Sequence, residues 1–177
     1  NVANAWNTNV TLTGALNISS NLTPAASVFN ATGNSSISGN LTLGTNSTNI
    51  WTVNPNLTMT ASGVLAGNNA SITKNGTGTL TFSGANTYNG ATTINAGTLS
   101  VTGNTSSSAI TINSGGNLIG TGTVGAVTLN TGGTIGAGTG TATVGKLTGS
   151  TLTVGAGTNY AFTIGNVAAS VAGTDYD

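Results

Sequence analysis

Between residues 92 and 135 one short pattern is written three times. Thr92-Thr-Ile-Asn95, Ile110-Thr-Ile-Asn113 and Val127-Thr-Leu-Asn130 each run into a glycine turn and then an apolar residue: Ala96-Gly-Thr-Leu99, Ser114-Gly-Gly-Asn-Leu118 and Thr131-Gly-Gly-Thr-Ile135. The anchors Ile94, Ile112 and Leu129 stand 18 and 17 residues apart. Leu152-Thr-Val154 resumes the unit, Val154 lying 25 residues beyond Leu129, and the extra length falls in the Gly/Thr-rich stretch 136–145. A rung of nearly constant length carrying loops of variable length marks a solenoid, in which no single turn of chain buries its apolar face without a stacked neighbour.

Inside each unit the alternation has period two. Ile110 and Ile112 flank Thr111, Leu80 and Phe82 flank Thr81, and Leu41 and Leu43 flank Thr42. That is the periodicity of strand, not helix. Propensity agrees, since Thr (36), Gly (28), Asn (25) and Ser (17) dominate the 177 residues and are poor helix formers. Short strands separated by Gly and Asn turns also suit a sandwich or barrel, but the repeated rung favours a single elongated, all-β parallel solenoid over residues 1–177. With rungs about 4.8 Å apart, some ten coils would make a rod roughly 50 Å long. Leu80, Phe82, Ile94, Leu99, Ile110, Ile112, Leu129 and Val154 are expected inside. Asn95, Asn113 and Asn130 fall at equivalent turn positions, where Asn tolerates left-handed backbone and can bond its stacked copy as a ladder.

From Ile72 to Leu99 the chain carries Lys74, Gly76, Gly78, Leu80-Thr-Phe-Ser-Gly84, Asn86-Thr-Tyr88, Gly90, Thr92 and Gly97-Thr-Leu99. This stretch resembles the autotransporter-associated β-strand repeat of bacterial autotransporter passenger domains. Gly115-Gly, Gly120-Thr-Gly-Thr-Val124, Gly132-Gly-Thr-Ile135, Thr158-Asn-Tyr160 and Asp175-Tyr-Asp177 are similar to passenger sequence as well. The resemblance covers residues 60–177, while residues 1–59 share composition and Leu-Thr-Leu strands with weaker motifs. Gly136-Ala-Gly138 departs from the Pro-Gly common in the family. The resemblance implies a right-handed parallel β-helix, exported and displayed on a bacterial cell surface, tied to folding and transport of the passenger and not to a reaction.

Composition points the same way. Cys, His, Glu and Arg are absent, which removes disulfides, thiolate and imidazole metal sites, Ser-His triads and paired-glutamate chemistry. The expectation is a non-enzyme without cofactor or catalytic and metal residues. Two cations, Lys74 and Lys146, give no footprint for nucleic acid. No apolar run approaches the roughly 20 residues of a spanning helix, so this segment is not expected to insert into a membrane. Asp175 and Asp177, the only acidic side chains, read as a solvated tail. Thr93, Thr111, Thr128 and Thr153 form one outward hydroxyl column, without the second column that ordering water as ice would need. Asn-x-Ser/Thr sequons occur eleven times, at Asn9, Asn17, Asn21, Asn30, Asn34, Asn40, Asn46, Asn56, Asn69, Asn75 and Asn104. Random order gives about seven, so they argue only weakly for glycans. Among the aromatics, Trp6, Trp51 and Tyr176 are the candidates for carbohydrate contact, the others serving the core.

Two partners remain open. Asn1 to Ser20 show no signal peptide and no cap, and the abrupt end at Asp177 leads to the expectation that more chain follows. Uncapped strand edges and almost no repulsive charge favour a stalk, sheath or filament module that self-associates head to tail. The expected edges are Val10 and Leu12 on one side and Tyr160, Phe162 and Ile164 on the other. The alternative is an adhesin that binds cell-surface glycans through Asn and Thr.

Overall fold

A strand that alternates Thr with Ile, Val or Leu offers only two or three apolar side chains to one side, so the interior it closes must be narrow. The computed structural model describes residues 17–18, 28–139 and 145–156, and among these the regular elements are all strands, paired in parallel. They form a β-solenoid of three faces.

The first face is built from β2 (Val28–Ala31), β5 (Thr48–Val53), β8 (Ser71–Asn75), β10 (Thr92–Ile94), β13 (Ile110–Ile112), β16 (Val127–Leu129) and β18 (Leu152–Val154), stacked in that order. The second stacks β1 (Asn17–Ile18), β3 (Ser35–Ile37), β6 (Thr58–Ala61), β9 (Thr79–Phe82), β11 (Gly97–Val101), β14 (Gly116–Gly120) and β17 (Thr134–Ile135). The third is shorter. Here β4 (Leu41–Thr42) pairs β7 (Leu65–Ala66), β12 (Asn104–Thr105) pairs β15 (Thr123–Val124), and single bridges join Ala85 to Asn104 and Thr123 to Thr148.

The register follows the repeat. Ile94 pairs Ile112, Ile112 pairs Leu129, and Leu129 pairs Val154. Rung length is not constant, however. Hydrogen bonds between equivalent side chains join residues 23 apart near the start of the described solenoid, then 20, 18 and 17 apart. The ~18-residue rung read from the second half is therefore the compact form of a longer turn.

Seven of the eight residues expected inside are buried: Leu80, Phe82, Ile94, Leu99, Ile110, Ile112 and Leu129. Val154 is not. It is 37 % exposed and its strand neighbour Leu152 47 %. The reason is positional: β18 is the edge of the first face, and the second face ends among the described residues at β17, one coil earlier, so no described strand stands across from it. Elsewhere most strands contribute one or two buried side chains, which stack in columns from rung to rung. Met59, Leu80, Leu99 and Leu118 stack along the second face, and Phe29, Trp51, Lys74, Ile94, Ile112 and Leu129 along the first. Phe29, Trp51, Phe82 and Tyr88 form a continuous aromatic run with centroid spacings of 4.8, 5.6 and 6.4 Å.

At the corner between the second and third faces glycines of successive rungs meet at close range. A Cβ on Gly63 would lie 2.1 Å from the carbonyl oxygen of Gly39, and one on Gly84 2.1 Å from that of Gly63. Gly103 repeats the relation to Gly84 at 2.2 Å, and Gly122 to Gly103 at 2.1 Å. The obstacle is backbone, which cannot swing aside, so any side chain here would pry two rungs apart.

Three substitutions separate inside, outside and corner. Ile112→Asp places a carboxylate between Ile94 and Leu129 with no described cation beside it and should cost about 3 kcal/mol or more. Gly84→Ala should also cost several kcal/mol, about 2 or above, through rung separation. Thr111→Asp, on the outward side of the same strand as Ile112, should cost about 1 kcal/mol or less. Denaturant unfolding of the three variants reads the order, and equal costs for Ile112→Asp and Thr111→Asp would refute the inward assignment.

Candidate functional site

The most unusual position in the core column is Lys74. Period two puts it inward on β8, in register with Trp51 on one rung and Ile94 on the next. It is fully buried. Its Nζ donates to the carbonyl oxygens of Asn75 at 2.8 Å, Gly76 at 2.7 Å and Ala96 at 3.2 Å, so one ammonium ties the turn that leaves β8 to the turn that enters β11. Both turns are left-handed, with φ of 73° at Gly76 and 66° at Gly97. The carbonyls favour the charged amine and burial opposes it. Burial wins, lowering the Lys74 pKa from 10.5 to about 8.

A chain of hydroxyls runs from the same coil onto the next two rungs. Tyr88 Oη and Thr92 Oγ1 are 2.7 Å apart, Thr92 Oγ1 and Ser108 Oγ 2.8 Å, and Ser108 Oγ donates to the Gly90 carbonyl at 2.8 Å. All three side chains are buried, which raises the Tyr88 phenol to about 12. Asn86 is buried beside them. Its Oδ1 accepts the Leu65 N–H at 2.9 Å, taking the place of a backbone carbonyl where the third face lacks a regular strand. Its Nδ2 and the Trp51 Nε1 are the buried donors left without a partner among the described residues.

The asparagines recur as surrogate backbone. Asn34 Oδ1 accepts from Thr58 N and Asn40 Oδ1 from Val64 N, each at 2.9 Å across a rung. Asn95 Nδ2 donates to Asn75 Oδ1 at 2.9 Å, Asn113 Nδ2 to Asn95 Oδ1 at 2.8 Å, and Asn130 Nδ2 to Asn113 Oδ1 at 2.8 Å. The ladder has Thr52 at the next rung below Asn75, where no amide continues it. Left-handed backbone falls elsewhere than the sequence reading placed it. Among the described non-glycine residues it occurs at Asn46, Asn56 and Asn69, with φ of 55°, 62° and 53°. Asn95, Asn113 and Asn130 close their strands, and Gly97, Gly115 and Gly132 make the turn two residues later. Gly138 has a φ of 97° and donates its N–H to the Gly120 carbonyl at 2.7 Å, so glycine also makes the turn at Gly136-Ala-Gly138.

Several surface candidates change standing. Trp51 is fully buried in the aromatic run, which removes it as a carbohydrate contact. Thr93, Thr111, Thr128 and Thr153 are in register on the outside of the first face. Six sequon asparagines, Asn34, Asn40, Asn46, Asn69, Asn75 and Asn104, use their side-chain amides in hydrogen bonds. Val10, Leu12, Tyr160, Phe162, Ile164, Trp6, Tyr176, Asp175 and Asp177 lie outside the described residues. Sequence reasoning missed Lys74 as a core residue, although its inward parity on Ile72-Thr-Lys74 was a sufficient signal. It also missed the corner glycines, which recur at Gly39, Gly63, Gly84, Gly103 and Gly122 on five successive rungs.

Residues 72–101 match the family model described as the passenger-associated-transport-repeat. No curated protein and no solved structure matches the chain. The matched stretch runs from β8 to the end of β11 and contains Lys74, Asn86, Tyr88 and Thr92, so it coincides with most of the buried polar side chains just described. The repeat and the β-solenoid together fit an autotransporter passenger domain, a class exported to the cell surface or beyond.

These two shifted groups set a pH profile. An unfolded Lys titrates at 10.5 and Lys74 at about 8, so between those values the unfolded state holds more protons and stability rises with pH. Tyr88 acts oppositely: between 10 and about 12 the folded state holds the extra proton, and stability falls as pH rises. Unfolding midpoints should therefore climb above pH 8 and peak near pH 10. Lys74→Met should flatten the rising limb and Tyr88→Phe the falling one, and a wild-type midpoint that declines steadily from pH 8 would contradict the burial of Lys74.

Proposed function

We propose that the chain is a non-enzymatic structural module of an exported bacterial surface protein, part of a stalk, sheath or filament that self-associates end to end. The observation that carries this reading is β18, the last strand of the first face among the described residues, the expected edge residues Tyr160, Phe162 and Ile164 lying outside them. Thr151 O and Gly155 N bond back to β16, so by the alternation of a parallel ladder the N–H and C=O groups of Leu152 and Val154 point away from it. Their side chains are exposed and apolar, and no charged residue lies within the strand. An edge of this kind accepts a strand from another copy, and because the two ends of a solenoid differ, the contact is head to tail and propagates without closing.

The rest of the surface supports a passive rod. Of the charged side chains in the described residues, Lys74 is enclosed and Lys146 alone is exposed. The interior hydroxyls and amides are engaged in closing rungs, and the outward faces present Thr, Asn and Ser. Glycan adhesion through those side chains is the competing reading, and it takes over if the rods stay dispersed.

Sedimentation and electron microscopy of the purified chain over a range of concentration test the choice. Regular polymers are expected, and Val154→Pro, which deletes an outward edge donor, should weaken them while the central coils stay folded. Assembly should change by less than about tenfold between low and high NaCl, since almost no charge is available to screen. A monomer at high concentration, or a change of about a hundredfold with salt, would refute the assembly reading.

A further inference from the structure

The chain holds two Asn-Gly pairs, Asn75-Gly76 and Asn89-Gly90. Such pairs are chemically labile because glycine puts no side chain in the way when its backbone nitrogen approaches the asparagine Cγ. The fold treats the two very differently. Asn75 ends β8, its Oδ1 accepts from Asn95 Nδ2 at 2.9 Å, and its own carbonyl accepts from Lys74 Nζ at 2.8 Å. Asn89 lies in the irregular stretch between β9 and β10 and is exposed. The Asn89 carbonyl takes part in no hydrogen bond among the described residues, although the units on either side are held, the Asn89 N–H by the Gly67 carbonyl at 3.3 Å and the Gly90 carbonyl by Ser108 Oγ at 2.8 Å. Each Asn Oδ1 accepts a hydrogen bond, from the Asn69 N–H at Asn89 and from Asn95 Nδ2 at Asn75, so polarisation of Cγ is common to both pairs and the contrast lies in exposure and in the main-chain carbonyl, which Lys74 holds at Asn75.

We propose that Asn89-Gly90 is a site of spontaneous covalent modification, a succinimide-forming deamidation that the folded solenoid permits here and suppresses at Asn75-Gly76. The Gly90 nitrogen loses its proton and bonds to Asn89 Cγ, and the Cγ–Nδ2 bond breaks to release ammonia. Water then adds to one of the two succinimide carbonyls and opens the ring, giving aspartate or isoaspartate. No electron is transferred and no enzyme is needed.

The products differ in consequence. Aspartate keeps an acceptor for the Asn69 N–H but faces Asn68 Oδ1, to which Asn89 Nδ2 donates at 3.3 Å, with a second acceptor. Isoaspartate lengthens the backbone next to Gly90, where a Cβ would already lie 2.2 Å from the Ala70 carbonyl oxygen. Either adds a carboxylate to a chain that has two acidic side chains. The contact of Asn89 with Asn68 and Asn69 on the adjacent coil thus ages into a charged, looser form.

The test is prolonged incubation of the folded chain at neutral pH, followed by peptide mass spectrometry and isoaspartate methylation, with a parallel sample unfolded in urea. In the folded chain Asn89 should convert at least about tenfold faster than Asn75, and the two rates should converge in urea. Asn89→Gln should remove the isoaspartate signal without changing the unfolding midpoint by more than a few degrees, about 4 or less. Equal folded-state rates at the two pairs, or conversion of Asn89 only in urea, would overturn the proposal.

Discussion

Parallel stacking leaves one demand that the strands cannot meet themselves. Each rung must return to the same register after turning three corners, and at each corner the backbone leaves strand geometry while its donors and acceptors remain close to the rung beside it. The chain meets that demand with side chains that imitate backbone. Asn34, Asn40, Asn86 and Asn89 supply carbonyl oxygens to N–H groups of adjacent rungs, and the Lys74 ammonium supplies donors to carbonyls at two turns. Asn suits these positions because an amide offers both halves of a peptide group on a short arm.

The corner chemistry also accounts for where the repeat resemblance is strongest. A thin core contributes little per rung, so a coil that joins buried polar bonds to packing becomes the best-determined part of the rod. Residues 72–101 combine Lys74 in the core column, Phe82 and Tyr88 in the aromatic run, and Thr92 in the hydroxyl chain. Gly84 adds the close corner approach. Those are residues a repeat pattern must keep in fixed spacing, because each reaches a neighbour one rung away.

Much of this was legible in the amino-acid sequence because strand parity and rung spacing are local signals. Ile94, Ile112 and Leu129 gave the register, and Thr93, Thr111 and Thr128 the outward column in line with it. What escaped was set by tertiary packing. Strand parity placed Lys74 inward, but its charge argued for the surface until its carbonyl partners on two turns were known, and Trp51 reads as a contact residue until Phe29 and Phe82 enclose it. The left-handed turns at Asn46, Asn56 and Asn69 belong to the longer early rungs, which the second-half repeat did not describe. The exposure of Val154 goes with the absence, among the described residues, of a strand across from it, which parity along β18 has no power to reveal.

The central claim is that asparagine side chains act as backbone at the corners, and amide hydrogen exchange tests it most directly. Thr58, Val64, Leu65 and Asn69 each have an N–H held across a rung by an Asn Oδ1. If those bonds are permanent parts of the ladder, these four amides should be protected to within about tenfold of amides bonded to backbone carbonyls across a rung, such as Thr79 and Ser83. Exchange at the rate of open turns, with the strands still protected, would contradict the account.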